Sequence, residues 1–399
     1  MQQREGVQAI VGPGGPFEIV VEDVLGVPLQ VYKQRFGSMR DLIAIAETRG
    51  DLDWVVQGDR RLSFAEHNSQ VRRAAAAMLE RGVEPGDRVA VLSANTLEWV
   101  VMFWACAAIG AACVPLNAWW KAEELEFGLR DSGSKLLHCD AKRWAVVEPV
   151  LDRLPDLHET FVGEVPLSAD DPGALPDVQV DEDDLLAILY TSGTTGVPKG
   201  ATVTHRQAIA NLQNLACLGA IAASRGGATP PEAAARSVAL LVVPLFHVTG
   251  ALATMVVNYA AGGELVLMPP GKFDPDHAMA TIEREKVTSM GGVPTVMWRI
   301  VEAPAFGQYD LSSVTRIGYG GAPAAPELVE RIKVAFPKVH DALSTAYGLT
   351  ETASVATANA GEDYFSHPGS VGRAVPTVEI RVVDERGAEQ PTGESGELV

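Results

Sequence analysis

Two rhythms alternate along the chain. Short continuous apolar runs at 89–92, 112–115, 135–139 and 185–190 predict buried strands, while stretches at 64–81, 95–109 and 125–130 carry helical patterning. Local punctuation supports the helices. Ser63-Phe64-Ala65-Glu66 is a capping box that starts an alanine-rich helix, Gly82 stops it, and Pro85-Gly86-Asp87 turns into the next strand. Gly110 ends the following helix, and Asp274-Pro275 opens another with a capping carboxylate and a proline at the first helical position. Strands alternating with helices predict an α/β fold of layered parallel sheets flanked by helices, with ligands gathered at the carboxyl ends of the strands.

Past Val371 the pattern changes. Residues 378–383, the turn Asp384-Glu385-Arg386-Gly387 and residues 396–399 predict hairpin strands of a small β-rich subdomain. The implied organisation is an extended N-terminal segment (1–37, loosely attached up to Phe17), a first α/β subdomain (38–184), a related second one (185–340) carrying a glycine-rich loop, and a β-rich region (341–399). Segments 166–184 and 222–235 predict surface excursions. The apolar stretch 237–261 is broken by Pro244, His247 and Asn258, which favours a buried strand and helix over a membrane span.

Composition narrows the partners. A formal charge of −19 and a pI near 4.8 argue against nucleic acid and anionic membrane surfaces, both of which require a basic face. Four cysteines (106, 113, 139, 217) form no C-x-x-C pair and have no histidines at ligand spacing, which points to free thiols in the cytoplasm. No leader-like segment opens the chain, and the association state is left open, a homodimer included.

The chemistry concentrates in Tyr190-Thr191-Ser192-Gly193-Thr194-Thr195-Gly196-Val197-Pro198-Lys199-Gly200. Glycines free the backbone to turn its amides toward one point, four hydroxyls donate, and Lys199 adds charge, together the chemistry of a phosphate cradle. An apolar strand precedes it and a helix is predicted from about Thr204. Lys199 follows proline and is not succeeded by Ser or Thr, so this is not the Walker pattern of kinases and GTPases. The stretch resembles the signature loop of the adenylate-forming superfamily, which includes acyl-CoA synthetases, luciferases and the adenylation domains of peptide synthetases, and is most like a bacterial fatty acyl-CoA ligase.

Further segments carry the resemblance in the expected order from about residue 40 onward. Phe246-His247-Val248-Thr249-Gly250 is similar to a segment lining the acyl pocket, which implies a wall role for His247. Tyr319-Gly320-Gly321-Ala322-Pro323 resembles one side of an adenine pocket, with Gly320, Gly321, Ala322 and Pro323 against the base. Tyr347-Gly348-Leu349-Thr350-Glu351 supplies a ring to stack on the base, a hydroxyl for the α-phosphate (Thr350) and a Mg²⁺ ligand (Glu351). Gly291-Gly292-Val293-Pro294-Thr295 resembles a segment whose helix flanks the acyl channel, with Met297 and Trp298 as lining or core residues. Trp119 and Trp120 are read as packing around the helix at 122–130.

The resemblance implies that a carboxylate attacks the α-phosphorus of MgATP while Lys199 and Thr191, Ser192, Gly193, Thr194, Thr195 and Gly196 hold the outgoing pyrophosphate, after which the acyl-adenylate passes to coenzyme A. Thr345-Ala346 departs from the residues common before Tyr347. Members of the superfamily continue through a ribose-binding aspartate, a hinge and a mobile domain carrying a catalytic lysine, none of which is found before Val399. The expectation is therefore the large N-terminal domain of an ATP-dependent fatty acid–CoA ligase that binds ATP and acid but is weakly active or inactive alone. The alternatives are a ligase delivering an acyl or aryl acid to a carrier protein, and a non-catalytic nucleotide-binding module.

Overall fold

A computed structural model describes residues 2–193, 196–225 and 236–399. Two large sheets flanked by helices dominate it, as the strand–helix alternation predicts. The six-stranded sheet runs in spatial order Lys199–Thr204, Leu185–Thr191, Ala112–Pro115, Arg88–Leu92, Leu136–Cys139, Glu159–Val162, and every pair but the first is parallel. The nine-stranded sheet runs Arg373–Ala374, Thr357–Ala360, Leu343–Tyr347, Arg316–Gly320, Ser289–Gly292, Val238–Leu241, Glu264–Leu267, Asp53–Gln57, Arg60–Ser63. Its centre is parallel and its edges antiparallel.

One core joins the sheets. Leu97–Ile109 is buried all round except at Glu98, as a helix caught between two apolar layers must be, and Gly110 (φ 69°) ends it in the left-handed conformation. Beside it the capping box of Phe64–Glu80 closes as predicted, the Ser63 hydroxyl accepting from the Glu66 amide at 3.1 Å and the Glu66 carboxylate from the Ser63 amide at 2.8 Å. Tyr259 sits at the centre, 4.1 Å from Trp104 and 4.9 Å from Trp54 by ring centroids, and its hydroxyl donates to Asn68 at 2.6 Å, so its one polar atom is satisfied. Among the described residues, no helix is long and apolar enough to cross a membrane.

Three expectations change. The sheets do not divide at residue 184: Leu185–Thr191 and its loop join the first sheet through Cys113 and Ala187, while Asp53–Gln57 joins the second through Val55 and Leu265. A buried strand reads the same in either sheet, so the apolar run alone cannot assign it. The glycine-rich loop is followed by a strand, Lys199–Thr204, before the helix His205–Ser224 begins. The opening segment is not loose: helix Gln2–Val11 packs Ile10 against Tyr32 and Cys217, and the following glycines turn the chain back so that the Phe17 amide donates to Ile10 at 2.9 Å. The stretch 237–261 holds the expected strand and helix, the strand ending at Leu241 and the helical part starting with a π-helical stretch, Thr249–Val256. The C-terminal hairpin forms but is short, Val382–Val383 against Glu397–Leu398. The excursion read at 222–235 begins after the helix ends at Ser224, and 226–235 lie outside the described residues.

Candidate functional site

Three parallel strands, Ser289–Gly292, Arg316–Gly320 and Leu343–Tyr347, lie side by side in register, Gly292 opposite Tyr319 and Gly320 opposite Ala346. Val238–Leu241 is the next neighbour, Leu241 opposite Gly291. All four point the same way, so the segments holding His247, Val293–Thr295, Gly321–Pro323 and Gly348–Glu351 leave one edge of the sheet. Glycine is required at two of these exits. A Cβ on Gly320 would stand 2.5 Å from the Ala346 carbonyl oxygen, and one on Gly348 1.5 Å from that of Ser354. Gly321 (φ 75°), Ala322 and Pro323 form an exposed turn, whereas Tyr319 points into the core and shares a 2.8 Å hydroxyl contact with Tyr364.

Beyond Tyr347 the chain makes a tight turn. Thr350–Thr352 is a single 3-10 turn; the Leu349 amide donates to the Thr352 hydroxyl at 2.9 Å and the Ala356 amide to Tyr347 at 2.9 Å. Two non-glycine residues there take left-handed backbone, Ala353 (φ 52°) and Ser354 (φ 111°), a strain of about 1–3 kcal/mol each that packing must hold. Part of that hold comes from Asn211 of the helix His205–Ser224, whose Oδ1 accepts from the Val355 amide at 3.3 Å while its Nδ2 is buried without a partner among the described residues. Thr350 is half-buried and Glu351 exposed.

The glycine-rich loop connects two antiparallel strands, with Thr191 opposite Lys199 and Tyr190 opposite Gly200. Gly193 (φ 56°) and Gly196 (φ 81°) occupy conformations that side chains resist. Ser192 and Lys199 are exposed; Thr194 and Thr195 lie outside the described residues. Tyr190 turns inward and donates to Asp131 at 2.7 Å, so it belongs to the core of the first sheet. The base of the hairpin is anchored. Thr204 caps the next helix in a second capping box with Gln207, and buried His205 accepts the Met39 amide on Nδ1 at 3.1 Å, burial holding its pKa at about 4. Arg206 pairs with Asp183 and Glu182 (both 2.6 Å), and Arg35 with Glu182 (2.7 Å). Strand Lys199–Thr204 then packs against the Thr350–Thr352 turn, Cα atoms approaching within 8 Å. Two stretches 150 residues apart in sequence thus meet between the sheets.

On the other flank, Asn95 clamps the approach to His247, donating from Nδ2 to Val243 at 2.9 Å and accepting on Oδ1 from the Leu245 amide at 2.8 Å. Phe246 is buried, with its ring 4.7 Å from that of His247. His247 is open at its surface, yet the protein around it desolvates the ring and lowers its pKa. Of the tryptophan pair, Trp120 packs edge-on to Tyr190 (5.5 Å) near the helix Ala122–Ser132, as read from sequence, but Trp119 is exposed and set edge-on to Phe246 at 5.2 Å. Met297 is wholly buried in the second core and Trp298 is covered by the Arg331 guanidinium at 5.2 Å, so both serve packing. Asn211, Asn95 and Trp119 act across elements, and no local sequence signal marks them.

The arrangement offers amides and hydroxyls on one side and a hydroxyl and carboxylate on the other. No group of three or more His, Cys, Asp or Glu converges among the described residues. The exposed Glu351 carboxylate suits a hard cation such as Mg²⁺, which takes one or two protein carboxylates and completes its shell with phosphate oxygens and water.

Residues 43–399 match the profile of the family described as AMP-binding enzyme. The chain is 32% identical over 346 residues to a feruloyl-CoA synthase from Amycolatopsis sp, covering 86% of this chain and 66% of that protein. It is 32% identical over 350 residues to the long-chain-fatty-acid–CoA ligase FadD13 of Mycobacterium tuberculosis, covering 86% and 65%. It therefore spans just under two thirds of the length of these relatives. Among solved structures, the inhibitor-bound N-terminal domain of FACL13 from Mycobacterium tuberculosis superposes with a TM-score of 0.79 at 28% identity, covering 91% of this chain and 88% of that one.

Proposed function

This chain belongs to the AMP-binding enzyme family, and from that membership we propose that it carries the adenylation site of an ATP-dependent acid–CoA ligase. In this reading a carboxylate oxygen attacks the α-phosphorus of ATP, the bond to the β-phosphate oxygen breaks, pyrophosphate leaves, and the acyl-adenylate is passed to the thiol of coenzyme A. The observation that supports the reading is the packing of strand Lys199–Thr204, which leaves the glycine-rich loop, against the turn Thr350–Thr352, whose sequence holds a hydroxyl and a carboxylate.

Lys199 and the backbone around Ser192, Gly193 and Gly196, with Thr191, Thr194 and Thr195, would hold the departing phosphates by charge and hydrogen bonds. Thr350 would orient the α-phosphate, and Gly320, Gly321, Ala322, Pro323, Tyr347 and Gly348 would present a flat, small-residue surface and a ring to the adenine. Glu351 would hold Mg²⁺, which neutralises phosphate charge when bound. His247 would wall the acid site as a neutral ring. These residues chiefly position and stabilise charge.

The acid is an apolar one, a fatty acid on the sequence reading. An aryl acid is the second reading, favoured by the Trp119–Phe246 contact and by the similarity to a feruloyl-CoA synthase. A cytoplasmic setting suits four buried free cysteines. The 399 residues alone are proposed to bind ATP and acid but to turn over poorly, because the match spans just under two thirds of the relatives' length. Carboxylate-dependent exchange of labelled pyrophosphate into ATP tests this, on this chain and on one extended beyond Val399. Exchange by the longer chain supports the reading, and failure with every acid tried, fatty and aryl, overturns it.

A further inference from the structure

Trp119 is the one tryptophan that turns most of its surface to solvent, with 66% exposed, whereas Trp54, Trp99 and Trp104 are wholly buried. A single exposed ring on a loose loop would need no explanation. The backbone that carries this ring is held in place. The Asn117 side chain accepts the Trp119 amide at 2.9 Å, the Asn117 carbonyl accepts the Trp120 amide at 3.0 Å, and Arg143 donates to the Ala118 carbonyl at 3.2 Å while paired with Asp140 at 2.9 Å. The residue opposite is equally fixed, since Phe246 follows directly on the Asn95 clamp at Val243 and Leu245.

The result is a row of three rings built from both sheets: exposed Trp119 edge-on to buried Phe246 (5.2 Å, 87°), and Phe246 tilted on exposed His247 (4.7 Å, 48°). Resting on the acid-site reading above, we propose that Trp119 is a specificity-determining residue that receives the tail of the carboxylic acid, and that it favours acids with a flat ring over straight alkyl chains. Rings gain edge-to-face and stacking attraction from such a row, beyond the area they bury, and an alkyl chain gains the area alone. Because the loop is pre-ordered, little entropy is lost when the tail docks.

Equilibrium binding of cinnamate and octanoate to this chain at saturating MgATP, measured by calorimetric titration in the wild type, Trp119→Ala and Trp119→Phe, tests the proposal, with tryptophan emission as a second readout in the wild type. Cinnamate is expected to shift the wild-type emission to the blue as Trp119 is covered, and Trp119→Ala to weaken cinnamate about tenfold while changing octanoate by less than about threefold. Trp119→Phe should restore most of the cinnamate affinity, and MgATP affinity should stay within about twofold throughout. Equal loss for both acids, or no loss for cinnamate, overturns the assignment while leaving the ligase reading intact. A wild type that binds MgATP but neither these nor any other acid overturns both.

Discussion

The two halves of the candidate nucleotide site are built on opposite plans. The turn after Tyr347 is closed by hydrogen bonds from Leu349, Val355 and Ala356, stores strain at Ala353 and Ser354, and admits no side chain at Gly348. In the loop between Thr191 and Lys199 the two glycines differ: a Cβ on Gly193 would stand 2.8 Å from the Val197 carbonyl oxygen, whereas one on Gly196 meets nothing within 4 Å among the described residues, and the Thr191 hydroxyl makes a 3.5 Å contact to Lys199. Its order lies at its base, in the His205 and Arg206 anchors. A site proposed to grip a triphosphate and then release pyrophosphate is well served by one closely packed, preorganised wall and one that leaves room at Gly196.

Acid should break this comparison most strongly. His205 and His67 are buried and neutral, each with a pKa of about 4 against an ordinary 6.5. Unfolding frees both to bind protons below pH 6.5, so the unfolded state takes up more protons and stability falls as pH drops from about 6.5 toward 4, by about 3 kcal/mol for each histidine. Urea midpoints measured across that range should drop steeply and be level above it, and amide exchange should open the hairpin base before the 348–356 turn. A flat profile would show that His205 is no anchor.

Next in size is Gly348→Ala, which forces the backbone apart and should cost about 2–3 kcal/mol in thermal or urea unfolding together with the stabilisation by MgATP. Asn211→Ala removes the support of Val355 and should cost about 1–2 kcal/mol, with MgATP affinity reduced more than affinity for the acid in calorimetric titrations. The smallest effect is expected at Gly196: among the described residues a Cβ there meets nothing, so Gly196→Ala faces its positive φ and should cost about 1 kcal/mol while leaving the fold intact. If Gly196→Ala proves more damaging to unfolding midpoints than Gly348→Ala, the contrast between a closely packed wall and one with room at Gly196 is reversed.

What was legible in the sequence was what local chemistry encodes. Ser63 with Glu66, Gly110, and Asp274 before Pro275 each announce a helix end through capping or left-handed backbone, and each helix ends accordingly. The strand Lys199–Thr204 was not legible: only Val203 is fully buried, so its composition reads as loop, and its strand state comes from pairing with Leu185–Thr191. The same holds for the exchange of strands between sheets, which depends on partners far away in sequence. Of the candidate site, the residue types and their order could be read from the chain, but their meeting could not. Asn211 reaching Val355, Asn95 reaching Val243 and Leu245, and Trp119 reaching Phe246 exist only after the sheets pack.

In the proposed site the Lys199 hairpin and the Thr350–Glu351 turn grip one triphosphate. A double-mutant cycle in MgATP affinity, using Lys199→Ala, Glu351→Gln and the pair, tests it most directly. Each single change should weaken MgATP about tenfold or more, and the pair by clearly less than the product of the two, because both act on the same bound phosphates and metal. Strictly multiplicative losses, or single changes that leave the affinity untouched, would contradict it.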